Sequence, residues 1–142
     1  MTRRLDLMRR ETILAADGSV QMDRLRIVAC QRFGLYLHRI HQADDGRDPH
    51  DHAWPFVSLM LRGGYVERVH TDPTFRVYAQ KVARHRWSVH RMGTDRAHRI
   101  IAVRPGTVTL VLRGWRGEDP WCFWTARGRV PHGEYLRAGE RV

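Results

Sequence analysis

Turn-forming residue pairs cut this chain into short pieces. They recur at Asp17-Gly18, Asp45-Gly46, Gly63-Gly64, Asp72-Pro73, Pro105-Gly106 and Arg127-Gly128, with a further turn over Gly93–Arg96 (GTDR). Between them lie short runs that alternate apolar and polar residues or are continuously apolar, and no stretch carries the pattern of a long helix. Leu25–Cys30 (LRIVAC), Phe33–Ile40 (FGLYLHRI), Phe56–Leu61 (FVSLML), Tyr65–His70 (YVERVH) and Phe75–Ala79 read as strands. So do Trp87–Met92 (WSVHRM), Ala97–Val103 (AHRIIAV), Thr107–Arg113 (TVTLVLR) and Trp121–Thr125 (WCFWT). With a short strand at His50–His52 the tally is about nine to eleven, which predicts an all-β sandwich or barrel. FVSLML is expected to be buried on both faces. In the second strand, Phe33, Leu35 and Leu37 fall on one face and Tyr36, His38 and Ile40 on the other.

The 142 residues suit one domain, and no repeat, low-complexity tract or linker divides them. The expected layout is an N-terminal arm over residues 1–24, a barrel over 25–136 and a frayed tail over 137–142. Residues 1–17 are polar and basic, with Leu5, Leu7 and Met8 as weak anchors, and read as a short helix or an irregular arm. Pro131–Tyr135 is expected to pack back on the sheet. Hydrophobic content of 42% and charged content of 28% fit a folded globular protein. No apolar run approaches the ~20 residues of a membrane helix. The N-terminal stretch lacks the apolar segment of a secretory signal, so a cytoplasmic location is expected. Cys30 and Cys122 match no paired-cysteine spacing and read as two separate thiols.

Formal net charge is +10, and Lys81 is the only lysine among the 25 basic residues. Such a balance raises nucleic acid as a partner, but the arginines form no dense tract, so that partner is not favoured. An anionic small molecule or a solvated basic surface accounts for the charge equally well.

The chemistry concentrates in Pro49–Tyr65, PHDHAWPFVSLMLRGGY. His50 and His52 are two residues apart, so in extended chain their imidazoles project to the same side, about 7 Å apart at a ~3.3 Å rise. That spacing lets both reach one metal ion, while Asp51 faces the other way. His38 shares a strand face with Tyr36 and Ile40 and is a candidate acid–base group, with Tyr36, Tyr65 and Tyr78 as candidate donors. His90 is expected to face opposite Trp87 and Val89, with no chemistry assigned. Trp54, Trp115, Trp121, Phe123 and Trp124 are expected to fill the core, cover an edge strand or line a cavity mouth. Arg62, Arg91 and Arg96 are candidate anion clamps.

Over about residues 25–125 these residues resemble the cupin superfamily, whose fold is a small double-stranded β-helix or jelly-roll barrel. His50 and His52 match the H-x-H of the family's first motif, and Gly63 or Gly64 its closing glycine. His98, in GTDRAHRI after Gly93, matches the histidine of the second motif, and TVTLVLR after Pro105-Gly106 also fits. The first motif's glutamate would fall at Phe56 or Val57, its leading glycine is displaced to Gly46, and the second motif's asparagine position is Ala102. The resemblance therefore implies a three-histidine set, His50, His52 and His98, similar to that of thiol dioxygenases. Such a set suits Fe(II), Mn(II), Ni(II), Co(II) or Zn(II). Glu67 is the nearest acidic candidate for a fourth ligand. His38, Tyr36 and Glu67 are the residues expected to act in catalysis or to support the ligands. The implied protein is a metal-dependent enzyme of oxygenase, isomerase or hydrolytic type, acting on a small polar or anionic metabolite, and a homodimer. The alternative is a non-catalytic binding or sensor module, with nucleic acid as one conceivable partner through its basic surface.

Overall fold

The computed structural model describes residues 5–44 and 47–139. Among them, strands and one helix run in the order β1 (Asp6–Leu14), β2 (Val20–Ala29), β3 (Gly34–Ile40), β4 (Phe56–Arg62), β5 (Gly64–His70), β6 (Gln80–His85), β7 (Val89–Met92), β8 (Ala97–Val103), β9 (Thr107–Arg113), β10 (Cys122–Thr125), β11 (Gly128–Pro131) and α1 (His132–Gly139). The all-β expectation holds. One antiparallel sheet has the order β1-β2-β3-β9-β4-β7, a second has β6-β5-β8, and β10 and β11 form a hairpin.

His50 connects the second sheet to that hairpin. It pairs antiparallel with His98 of β8 on one side and with Phe123 of β10 on the other. The His50 N–H donates to the His98 carbonyl at 3.0 Å and the His98 N–H donates back at 2.9 Å. The Asp51 N–H reaches the Cys122 carbonyl at 2.9 Å, and the Trp124 N–H reaches that of Pro49 at 2.7 Å. The H-x-H segment, expected as a strand, is thus a bridge paired on both sides. Its flanking prolines, Pro49 and Pro55, have no amide N–H with which to extend a ladder.

Antiparallel register aligns residues in rows across the large sheet. One row runs Glu11, Arg24, His38, Thr109, Met60. A second, two residues along, runs Arg26, Tyr36, Val111, Ser58, His90. Cross-strand neighbours share a face, so each row presents its side chains to one side of the sheet. That side is the interior: Tyr36, Ser58, Met60, His90, Thr109 and Val111 are all buried. The apolar core gathers in two clusters, one around Tyr36, Phe56, Met92 and Val111 and one around Ile40, Met60 and Tyr65.

Several expectations need correction. FVSLML has a single interior face, because Phe56, Ser58 and Met60 are buried while Val57, Leu59 and Leu61 are only half-buried. Residues 6–24, expected as an arm, are mostly strand, with β1 paired along its length to β2 from Asp6↔Ala29 to Leu14↔Val20. Charged side chains hid this pattern: Glu11 of β1 answers Arg24 and Arg26 of β2. Phe75–Ala79 is not a strand. The Asp72 carboxylate accepts the N–H groups of Thr74, Arg76 and Val77, and Phe75 sits at a φ of 57°. This local capping holds the segment as a loop until β6.

Pro131–Tyr135 does pack back, with the Tyr135 ring stacked 3.9 Å from that of Phe123. It does so within α1, which reaches Gly139 where a frayed tail was expected. Glu134 in its first turn and Arg137 in its last complement the helix dipole. Residues 1–4 of the expected arm, the Asp45-Gly46 turn with the displaced motif glycine, and tail residues 140–142 lie outside the described residues. Cys30 and Cys122 are free thiols, as expected.

The Gly63-Gly64 turn matters to the site because it sets β5 beside β8. Gly63 has a φ of 72°, and a Cβ there would lie 2.8 Å from the Thr107 Cα. Only glycine fits that close approach without strain.

Candidate metal centre

The paired bridge that places His50 opposite His98 also puts their side chains on one face, and His52, two residues on, returns to the same face. Ring centroids are 4.8 Å apart for His50–His98, 5.2 Å for His50–His52 and 5.0 Å for His52–His98. Ligating nitrogens from the three rings all lie within 4.8 Å of one another. The rings therefore converge more closely than an ideal extended strand would bring them.

Two of the three imidazoles, His50 and His52, are in the neutral state a metal needs. Burial disfavours the charged form of His50, and the neighbouring His98 adds to this, so its pKa is lowered to about 4. Burial, His98 and His50 hold His52 well below the ordinary range. Both are neutral at physiological pH, with a lone pair free to ligate. His98 differs. Burial alone would depress it, but the Glu67 carboxylate more than offsets that and raises its pKa. The His98 Nδ1 lies 2.7 Å from Glu67 Oε2, and the Arg84 Nε–H donates to Glu67 Oε1 at 2.8 Å. Glu67 is fully buried. Burial pushes its pKa up, but the hydrogen bonds and charges of His98 and Arg84 prevail and bring it down to about 2.

Such a carboxylate fixes the ring orientation of His98 and leaves its Nε2 as the ligating atom. Glu67 is therefore not the fourth ligand: both its oxygens are engaged behind the ring. The position expected for the motif glutamate holds Phe56, whose ring is 4.8 Å from that of His52. The donor set is three imidazoles on an apolar wall, one of them backed by a carboxylate, and it fits a divalent transition metal.

Asp51 does face the other way, and it has a role the sequence did not reveal. Its Oδ1 accepts the Cys122 N–H at 2.6 Å, and its Oδ2 accepts the Trp124 indole N–H at 2.8 Å and the Arg129 guanidinium at 2.7 Å. The residue between the two ligands thus ties their segment to the β10–β11 hairpin. Nothing local signals this, since the partners lie more than seventy residues away.

The histidines open into a cavity of about 360 Å³ between the two sheets. His38 and Tyr36 line it, with His38 beside Arg24 in the first cross-strand row. Burial, and then the charge of Arg24, lower the His38 pKa to about 3. The Tyr36 hydroxyl accepts from the buried Arg113 Nε–H at 2.7 Å. Tyr65 also lines the cavity, whereas Tyr78 is 97% exposed. Arg62, Arg91 and Arg96 are exposed and contribute nothing to the cavity wall. The arginines that do line it, Arg24 and Arg47, were not singled out. Asp44 was also missed. It is buried on the cavity wall, where its Oδ2 accepts the Ile100 N–H at 2.8 Å. Trp54, Trp121 and Phe123 line the cavity, Trp124 is core, and Trp115 is exposed. His90 is buried opposite the exposed Trp87 and Val89, as expected.

No family model matches this sequence, and no curated protein does. Solved structures match in shape. KdgF from Halomonas sp. superposes with a TM-score of 0.53 over 70% of this chain and 84% of that one, at 12% identity. Oxalate decarboxylase from Bacillus subtilis superposes with a TM-score of 0.59 over 96% of this chain, at 10% identity. The fold is the cupin fold. A third cupin, hydroxypropylphosphonic acid epoxidase from S. wedmorenis, superposes with a TM-score of 0.55 over 75% of this chain, at 10% identity. This chain covers only 55% of that epoxidase and 34% of the decarboxylase.

Proposed function

We propose that this cupin is a metal-dependent enzyme acting on a small polar, anionic metabolite. The observation that carries this reading is the convergence of three imidazoles, within 4.8 Å of one another, on a cavity large enough for a small molecule. His50, His52 and His98 would hold Fe(II), Mn(II), Ni(II) or Zn(II). When bound, the ion supplies Lewis-acid or redox chemistry at the cavity wall. Two of the similar structures are named for acids of this size, oxalate and hydroxypropylphosphonic acid, and one structure of the latter's enzyme is described as the Fe(II) form.

The protein's own groups have distinct parts. Glu67 orients His98 and anchors itself through Arg84. His38, with a pKa of about 3, stays neutral and hydrogen-bonds the ligand instead of storing a proton. The Tyr36 hydroxyl accepts from Arg113, which leaves its own proton available to donate. Phe56 and Trp54 keep the wall beside His52 apolar.

Elemental analysis of protein purified without an affinity tag tests the site. Near one equivalent of metal is expected in the parent, and little in His50→Ala and His98→Ala. No binding after anaerobic reconstitution with iron, manganese, nickel and zinc would overturn the reading. Turnover of a panel of small acids, lost in His98→Ala, is expected. Stoichiometric metal with no turnover would leave a ligand-sensing cupin in place of an enzyme.

A further inference from the structure

Arg24 lines the cavity but takes no part in the three-histidine site. Its side chain is only 20% exposed, and its Nε is buried with no hydrogen-bond partner among the described residues. Its nearest carboxylate is Glu11, 3.6 Å from the guanidinium. That carboxylate is already in closer contact with Arg26, at 2.9 Å. On the other side of Arg24 in the same row stands His38, whose Nε2 is likewise buried and without a partner. Both residues line the cavity that the three histidines face. The other charged groups on the wall do not answer this charge. Asp44 is engaged by Gln21 and by the Ile100 N–H, and Arg47 reaches the Leu14 carbonyl and Gln21 at 3.5 Å.

A buried guanidinium with an unsatisfied N–H and a shared carboxylate is costly unless something else completes it. An oxyanion does so best, because its paired oxygens match the fork of the guanidinium. The unpartnered His38 nitrogen adds a neutral hydrogen bond at the same place. We propose that Arg24 and His38 form a subsite for the acidic group of the ligand, a carboxylate or a phosphonate, and so restrict this cupin to small organic acids. The inference rests on the functional reading above for what lies at the other end of the ligand, but the subsite itself needs no metal.

The test follows the Arg24 Nε–H resonance by two-dimensional NMR while metal-free protein is titrated with propionate, propylphosphonate or propionamide. Saturable shifts are expected with one or both acids and none with the amide. Which acid binds more tightly identifies the acidic group. Arg24→Gln, followed through the His38 ring signals, is expected to bind the acids about tenfold more weakly. Glu11→Gln removes the competing carboxylate and is expected to bind them severalfold more tightly, a gain that misfolding cannot mimic. Equal response to amide and acids, or no gain in Glu11→Gln, overturns the proposal. Metal content of Arg24→Gln is expected to equal that of the parent. Acid binding in a protein that takes up no metal would sink the metal-enzyme reading and leave this subsite standing.

Discussion

Glu67 shows how much one buried side chain can decide. Its two oxygens face two different partners, His98 and Arg84, so replacing the carboxylate by an amide keeps the volume and removes the charge that orients the ring. Glu67→Gln is expected to weaken metal affinity by about 10–100-fold, as for other outer-shell partners of ligating histidines. Competition with a chromogenic chelator measures it, and an unchanged affinity would show that His98 is held by packing alone. Legibility in the sequence was uneven at this scale. The histidine pair was readable because alternation in extended chain depends only on neighbours. Glu67 could be named but not placed, since the register irregularity between Val66 and Glu67 decides where its side chain goes. Arg24 was not readable at all. In a chain with so many arginines, only the row it shares with His38 distinguishes it, and that row exists only once β2 and β3 are paired.

The β10–β11 hairpin and the H-x-H segment act as one element, because Asp51 connects them. Asp51→Ala would leave the Trp124 indole N–H and the Cys122 amide buried without an acceptor. The expected cost is about 2–3 kcal/mol, with little added from Arg129, whose side chain is half exposed. Urea unfolding followed by tryptophan fluorescence measures the loss, and weaker metal binding should accompany it, because His50 pairs directly with Phe123. A midpoint within error of the parent's would show that the backbone pairing suffices. Elements with a clear alternating pattern, such as TVTLVLR, matched their sequence reading because one face is interior and the other is not. β1 escaped because both its faces carry charge, and β6 because the Asp72-capped loop displaced it from the apolar residues that suggested a strand.

At the scale of the whole molecule, several histidines are buried and neutral together. The pKa of His38 is lowered to about 3, those of His50 and His90 to about 4, and that of His52 well below its ordinary value of 6.5. The unfolded chain binds these protons at a higher pH than the folded one, so stability rises with pH across that window. In chelator, the urea midpoint is therefore expected to fall as pH drops from 6.5 towards about 4. Glu67, with its pKa lowered to about 2, adds stability that is present above its ordinary value of 4.5 and lost as pH falls towards 2. His98 runs the other way, since its raised pKa adds stability at low pH that is lost as pH rises through the folded value. A midpoint that is flat over this window would contradict the balance. Metal should steepen the dependence, because ligation requires the neutral rings. The tie from Asp51 to Cys122, Trp124 and Arg129 also bears on how this protein is made. A ribosome releases residues 50–52 before residues 122–129, so the growing chain carries this histidine pair without its anchor until the hairpin emerges. The three histidines therefore sit in a finished pocket only after the hairpin has followed them.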